Sequence, residues 1–143
     1  FGMFDQSEEL FQKSYQATTD RLWNQTDVGG FIRYERDNYF RSTNIPNPWF
    51  ITTLWEAQMK LAKKEVTQED LEFAEKTFEW VAGHVYNSGV LAEQLNPYTG
   101  ESLSSTPLVW SHAVYVETVL LYLKKKQEVA LQQQNVAEET HTL

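Results

Sequence analysis

The chain has 143 residues, which is enough for one domain with its own hydrophobic core. Its 12 basic and 20 acidic residues give a net charge of −8, which argues against binding to nucleic acid or to an anionic membrane surface, because both depend on Lys and Arg. The chain lacks cysteine and its three histidines lack metal-ligand spacing, so we expect neither a metal nor a cofactor.

Four helices are predicted from apolar periodicity and helix-end signals. They cover residues 5–23, 48–64, 67–86 and 107–126. Asn47-Pro48 and Thr106-Pro107 mark the starts of the second and fourth helices, because proline favours the first helical position after an N-cap. The segment Thr67-Gln-Glu-Asp70 resembles a capping box at the start of the third helix, and Gly89 suits a left-handed C-cap after it.

No segment shows a strand pattern, so the sequence predicts an all-α fold. The second and fourth helices are apolar on nearly every side and need cover all round. Four helices cannot bury both, which favours inner helices of a larger (α/α) barrel. The apolar run 108–123 contains Glu117 and is short for a membrane span, so we interpret it as a buried helix.

Two blocks of sequence carry a family resemblance. The first block consists of Gly30-Phe-Ile-Arg-Tyr-Glu-Arg-Asp-Asn-Tyr39 and Asn47-Pro-Trp-Phe50. The second consists of Leu91-Ala-Glu-Gln94, Gly100-Glu-Ser-Leu-Ser104 and Pro107-Leu-Val-Trp-Ser-His-Ala113. Short motifs recur by chance, but two blocks in order carry more weight. Together they resemble the C-terminal catalytic segment of glycoside hydrolase family 15, the glucoamylases and their bacterial relatives.

The resemblance implies an (α/α)6 barrel of twelve helices, of which this chain is the C-terminal portion with about four helices. Residues 1–126 are expected to form the C-terminal third of that catalytic domain, and residues 127–143 a polar helical extension or tail. The rest of the domain, in a second chain or a missing segment, is the expected partner. Phe1 is not an initiator methionine, which favours a chain cut from something longer.

The resemblance also implies the chemistry. Glu93 corresponds to the general base of an inverting hydrolase that releases glucose from non-reducing ends of α-glucosides or oligosaccharides. A carboxylate on a loop between rigid elements is a common way to build a hydrolytic base, and the alternative is a solvated loop glutamate. Ser104 corresponds to the residue that donates a hydrogen bond to the base, and the alternative is an ordinary loop serine.

Five further residues are candidates for substrate binding. By resemblance Arg33 and its neighbour Tyr34 line the sugar subsites, where a guanidinium offers a planar fork of donors to hydroxyl oxygens. Asp37 is expected to pair with Arg33 and hold it, and the alternative is a surface ion pair of little value. Trp49 and Trp110 either stack on sugar rings or pack in the core.

The general acid of the family lies upstream of every motif in this chain, and residues 1–143 offer no candidate for it. The chain alone is therefore predicted to be inactive. Segment 39–46 is longer than its family counterpart, which leaves the substrate open, and trehalase-type specificity is an alternative. A non-catalytic carbohydrate-binding or regulatory module and a plain helical scaffold are further alternatives. His112 is expected to be a hydrogen-bonded core residue rather than a catalyst.

Overall fold

The computed structural model describes residues 5–141 of the chain and the side chains of residues 5–134. The four predicted helices are present, together with a small sheet. The helices are α1 (Glu9–Leu22), α2 (Phe50–Leu61), α3 (Gln68–His84) and α4 (Val109–His141). The strands are β1 (Phe31–Ile32), β2 (Pro48–Trp49), β3 (Gln94–Leu95) and β4 (Ser102–Leu103). No helix within residues 5–141 is both long enough and apolar enough to cross a membrane.

The sheet corrects the prediction of a chain without strands. Its four strands lie in the order β1-β2-β3-β4, and each neighbouring pair is antiparallel. Each strand has two residues, whereas a strand is recognised in sequence by alternation over about four to eight residues. The local sequence pattern therefore could not indicate this sheet. The four helices were predicted correctly, but the expectation that the chain has no strands was wrong.

Helix α2 begins two residues later than predicted, at Phe50 instead of Pro48. Asn47 does not cap it, because the N-cap position is Trp49, which is extended and makes no side-chain cap bond. The hydroxyl of Thr53 donates to the Trp49 carbonyl at 2.7 Å and accepts at 2.9 Å from a backbone N–H of β1. The start of the helix is thus tied to the sheet instead of to an Asn cap.

Helix α4 begins at Val109, two residues after the predicted start. Leu91 holds this start from two sides. Its carbonyl accepts from the backbone N–H of Leu108 at 3.0 Å, and its own N–H donates to Nε2 of His112 at 3.0 Å. His112 is therefore hydrogen-bonded, as predicted, but it is half-buried and not part of the core.

The capping box of helix α3 is confirmed. The Thr67 side chain accepts from the backbone N–H of Asp70, and the Asp70 side chain accepts from that of Thr67. The helix ends at His84, before the predicted end. Gly89 has the predicted left-handed φ of 81°, but it lies in a later turn instead of capping the helix, and its N–H donates to the Tyr86 carbonyl at 2.7 Å.

Helix α2 lies at the centre of the core. Buried side chains pack around its first half and include Phe50, Ile51, Leu54, Val81, Leu91, Leu95 and Val114. A second cluster surrounds its last turns and includes Ala57, Leu61, Leu71, Ala74, Tyr122 and Val129. The elements α3, α4 and the sheet therefore supply most of the cover that the apolar sequence of α2 requires.

Helix α4 keeps a row of apolar side chains in solvent. Val109 is 78% exposed, Val116 56%, Leu120 63% and Leu123 54%. Their spacing places them on one face of the helix, and we refer to these four residues as the α4 stripe. The helix also continues without a break beyond residue 126, into the segment for which a polar helical extension or tail was expected, and reaches His141.

None of the residues of helix α1 is fully buried, and contacts of Tyr15 join this helix to α2. The Tyr15 hydroxyl donates to the carboxylate of Glu56 in α2, and the Lys60 ammonium lies 5.8 Å from the centre of the Tyr15 ring. Burial raises the pKa of Glu56, an effect that the Tyr15 hydroxyl partly offsets. Leu10, predicted on the buried face of this helix, is exposed.

Replacing Asp70 with Asn is expected to lower the free energy of unfolding by about 1–2 kcal/mol, because the buried carboxylate accepts from Lys63 Nζ at 2.5 Å and from both donors of Thr67. Burial would raise the pKa of Asp70, but these hydrogen bonds outweigh it and hold the pKa below its ordinary value. A carboxyl with a lowered pKa stabilises the fold above the unfolded pKa. This contribution is therefore present above about pH 4 and is lost as the pH falls through the folded pKa.

Urea unfolding at pH 7 measures the loss of stability on Asp70→Asn. The same measurement near pH 3 shows whether the contribution of Asp70 is lost in acid. Glu69→Gln is the matched control. This substitution makes the same change of charge in the same helical turn, but at an exposed residue. Equal losses for the two variants at pH 7 would contradict a special role for Asp70.

Candidate functional site

The sheet brings the candidate residues of both sequence blocks together. Trp49 in β2 pairs with Gln94 in β3, and Gln94 pairs with Leu103 in β4. Beyond this pair the regular ladder ends, and the backbone N–H of Glu93 donates to the carbonyl of Ser105 at 3.0 Å. Glu93 and Ser104 therefore lie next to each other at the end of the β3–β4 pair.

Glu93 is half-buried at this end of the sheet, and two side chains contact its carboxylate. The Ser104 hydroxyl donates to Oε2, and Nε2 of Gln94 lies 3.5 Å from the same oxygen. Ser104 has a φ of 65°, in the left-handed region that residues other than glycine rarely occupy. The loop after β4 thus adopts an unfavourable backbone conformation at the residue that contacts the carboxylate.

Arg33 is held by a carboxylate and three rings. Its Nε and Nη2 donate to the two oxygens of Asp37 at 2.9 and 3.0 Å, which is a bidentate pair. The guanidinium carbon lies 4.9 Å from the ring centre of Tyr34, 5.3 Å from Tyr39 and 4.4 Å from Trp49. These contacts leave the guanidinium little freedom to move.

Asp37 is only 2% exposed, so its pair with Arg33 is not an ordinary surface ion pair. Burial would raise the pKa of Asp37, but the guanidinium and the backbone N–H of Tyr39 outweigh burial and lower the pKa. Asp37 is therefore a charged, buried anchor for a half-exposed Arg33.

The two candidate tryptophans lie in different surroundings. Trp49 is 4% exposed beneath Arg33, and its Nε1 has no hydrogen-bond partner within the part of the chain that the structure describes. Trp110 is 53% exposed in the first turn of α4, with its ring 5.9 Å from that of Trp55. Trp49 thus belongs to the cluster around Arg33, whereas the contact of Trp110 is with α2.

Sequence reasoning missed the side chain that joins the two sequence blocks. The amide nitrogen of Asn47 donates to Oε1 of Gln94 at 2.8 Å and to the Phe40 carbonyl at 3.1 Å. The family block Asn-Pro-Trp-Phe contains Asn47, but its position before a proline favoured a helix cap instead. Tyr39 was missed as well, although it closes the block that contains Arg33.

The described residues contain no group of three or more His, Asp or Glu side chains placed to hold a metal ion. The polar groups of the site are a carboxylate, a guanidinium, amides and hydroxyls. Such groups suit hydrogen bonding to a hydroxyl-rich ligand and proton transfer by a carboxylate.

A protein-family model for glycosyl hydrolases family 15 matches residues 6–120, which include every candidate residue named above. The match covers most of the chain, and the chain therefore belongs to this family. Membership confirms the resemblance stated from the two sequence blocks.

A relative from Methanocaldococcus jannaschii, named as the uncharacterized glycosyl hydrolase MJ1610, is 30% identical over 139 residues. The alignment covers 92% of this chain and 21% of the relative, so the chain spans about a fifth of that protein's length. No solved structure matched the chain.

Proposed function

We propose that this chain supplies the general base of an inverting, glucoamylase-like hydrolase, with Glu93 as that base. The observation that supports the proposal best is the hydrogen bond from the Ser104 hydroxyl to the Glu93 carboxylate at the end of the β3–β4 pair. A hydroxyl donor favours the ionised form of a carboxylate, which is the form that accepts a proton. The carboxylate is half-buried, so a water molecule can still reach it.

In the proposed reaction, Glu93 takes a proton from a water molecule while the oxygen of that water bonds to the anomeric carbon. The bond from this carbon to the glycosidic oxygen breaks, and a general acid gives that oxygen a proton. The water attacks from the face opposite the leaving oxygen, so the configuration inverts. This chain contributes the base, and we place the acid in another part of the protein.

We propose that Arg33 binds sugar hydroxyls through the guanidinium edge that Asp37 does not occupy. Its two hydrogen bonds to Asp37 and its ring contacts fix the direction of this edge before a ligand arrives. A donor fixed in advance loses little conformational entropy on binding. The exposed ring of Tyr34 is a further group that a sugar can contact, whereas the buried Trp49 is proposed to support Arg33 from beneath. Trp110, also exposed, is proposed to stack at a separate position.

We further propose that the chain is the C-terminal portion of an (α/α)6 barrel whose remainder packs against the α4 stripe. Four apolar side chains on one helix face, each more than half exposed, are typical of a surface that packs against another element. The chain matches only a fifth of the length of its relative, which leaves room for such a segment. The missing general acid would lie in that remainder.

Replacing Glu93 with Gln in the intact protein that contains this chain is expected to lower kcat by about 10²- to 10⁴-fold, because the amide cannot take the proton of water. Glucose release from maltose and from trehalose is the measurement, and it also decides between the two specificities. Glu101→Gln is the matched control, since it makes the same change on an exposed glutamate of the same loop region. Retained activity in Glu93→Gln would refute Glu93 as the base.

Ser104→Gly and Ser104→Ala are both expected to lower kcat about ten- to a hundredfold, because each variant loses a hydrogen bond to a charged group. Glycine accepts the φ of 65° without strain, so Ser104→Gly removes the hydroxyl and keeps the backbone. If Ser104→Gly has wild-type kcat while Ser104→Ala does not, the backbone conformation matters and the hydroxyl does not.

Residues 1–143 alone are expected to release no glucose above the rate of their Glu93→Gln form, because a base without an acid lacks the proton donor for the leaving oxygen. The assay compares this chain with the intact protein at equal molar concentration on the same substrates. Glucose release by the isolated chain that disappears on Glu93→Gln would contradict the placement of the acid elsewhere.

A further inference from the structure

Two buried side-chain amides, those of Asn47 and Gln94, form a row that leads from the Phe40 carbonyl to the carboxylate of the proposed base, Glu93. Nδ2 of Asn47 lies 3.1 Å from the Phe40 carbonyl and 2.8 Å from Oε1 of Gln94, and Nε2 of Gln94 lies 3.5 Å from Oε2 of Glu93. Asn47 is 2% exposed and Gln94 is fully buried. Water therefore cannot replace the hydrogen bond between these two amides.

We propose that Asn47 is a positioning residue that fixes the orientation of the Gln94 amide, so that an N–H group and not the amide oxygen faces Glu93. This inference rests on the proposed function of Glu93 as the base.

The orientation follows from the first acceptor in the row. A backbone carbonyl only accepts hydrogen bonds, so the amide nitrogen of Asn47 must face Phe40. The same nitrogen donates its other hydrogen to Gln94, which must then present its oxygen to Asn47 and its nitrogen to Glu93. The reverse orientation of Gln94 would place an amide oxygen against a carboxylate oxygen, with no proton between them.

The unpartnered oxygen of Asn47 supports this arrangement. Both amide hydrogens of Asn47 are used for Phe40 and Gln94, and its buried Oδ1 has no hydrogen-bond partner within residues 5–134. A buried acceptor without a partner is unfavourable. Asn47 therefore keeps both of its donor bonds although its own oxygen has no partner. This is expected if the role of Asn47 is to donate a hydrogen bond to Gln94 in one fixed direction.

Phe40 connects this row to segment 39–46. Its φ of 54° lies in the left-handed region, which is unusual for a bulky side chain, and its ring is 59% exposed. The direction of its carbonyl therefore depends on the conformation of that segment. Asn47 therefore links segment 39–46 to the Gln94 amide, which contacts the proposed base.

Asn47→Asp tests the proposal in the intact protein. Aspartate has the same shape but no donor, so Gln94 is expected to turn its nitrogen toward residue 47 and its oxygen toward Glu93. We expect kcat to fall about tenfold, the effect of one lost hydrogen bond to the base, with KM changed less than about twofold. Asn44→Asp is the matched control, because it makes the same substitution in the same segment at an exposed residue, where Asn44 accepts a bond from the Tyr98 hydroxyl that aspartate also accepts.

A double-mutant cycle separates positioning from general damage. If Asn47 acts through Gln94, Asn47→Asp lowers kcat much less in a Gln94→Leu background than in the wild type. If Asn47→Asp yields no folded protein, Asn47→Ala replaces it in the same cycle, since it also removes the donors and adds no charge.

The outcomes distinguish this proposal from the proposed function. Retained activity in Glu93→Gln would overturn both. Loss of activity in Glu93→Gln, together with equal kcat for Asn47→Asp and Asn44→Asp, would overturn the positioning role alone. An Asn47→Asp effect that stays the same size in the Gln94→Leu background, or that appears in KM instead of kcat, would also overturn it.

Discussion

The pairing of Trp49 with Gln94 at the centre of the sheet is the contact on which the site geometry depends. The Arg33 guanidinium lies over the ring of Trp49, and Glu93 precedes Gln94 along the chain. A slip of one residue would turn every side chain of a strand to the other face and separate these groups. Strands of two residues contribute few hydrogen bonds to the register, so other parts of the molecule must hold it.

Helices α2 and α4 hold the register from two sides. In α2, the hydroxyl of Thr52 donates to the Phe31 carbonyl at 2.6 Å, and that of Thr53 accepts from the Phe31 N–H. These two bonds satisfy both backbone groups of Phe31 in the edge strand β1. In α4, the buried Ser111 hydroxyl donates to the Ala92 carbonyl at 2.8 Å, just before β3. Helices α2 and α4 thus fix the sheet through specific hydrogen bonds as well as through apolar packing.

The features predicted correctly from sequence are local ones. The capping box of Thr67 and Asp70 is complete within four residues, and the helices follow from apolar periodicity within one segment. The contact of Asn47 with Gln94 joins residues 47 positions apart, and an Asn before a proline predicts a helix cap just as well. Tertiary pairing therefore decided the role of Asn47 against its local preference.

The site residues came from the family blocks instead of from periodicity, because spacing along a chain does not reveal which loops meet. The contact of Glu93 with Ser104 depends on the turn of six residues, 96–101, that folds β3 onto β4. Arg33 and Trp49 likewise meet only because β1 pairs with β2. Burial was the hardest property to predict, since the sequence alone could not distinguish the buried Asp37 from a solvated charge.

Helix α4 lies between Glu93, the proposed base, and a segment that would pack on the α4 stripe. Ser111 and His112 on α4 fix the segment at Leu91 and Ala92, directly before Glu93. A segment that packs on the α4 stripe would therefore be one helix away from the base. Inversion requires a separation of about 6.5–9.5 Å between base and acid, and small displacements reduce the rate strongly. If the acid belongs to such a segment, packing across α4 sets this separation. The hydrogen bonds of Ser111 and His112 would then help to hold Glu93 at a fixed distance from the acid.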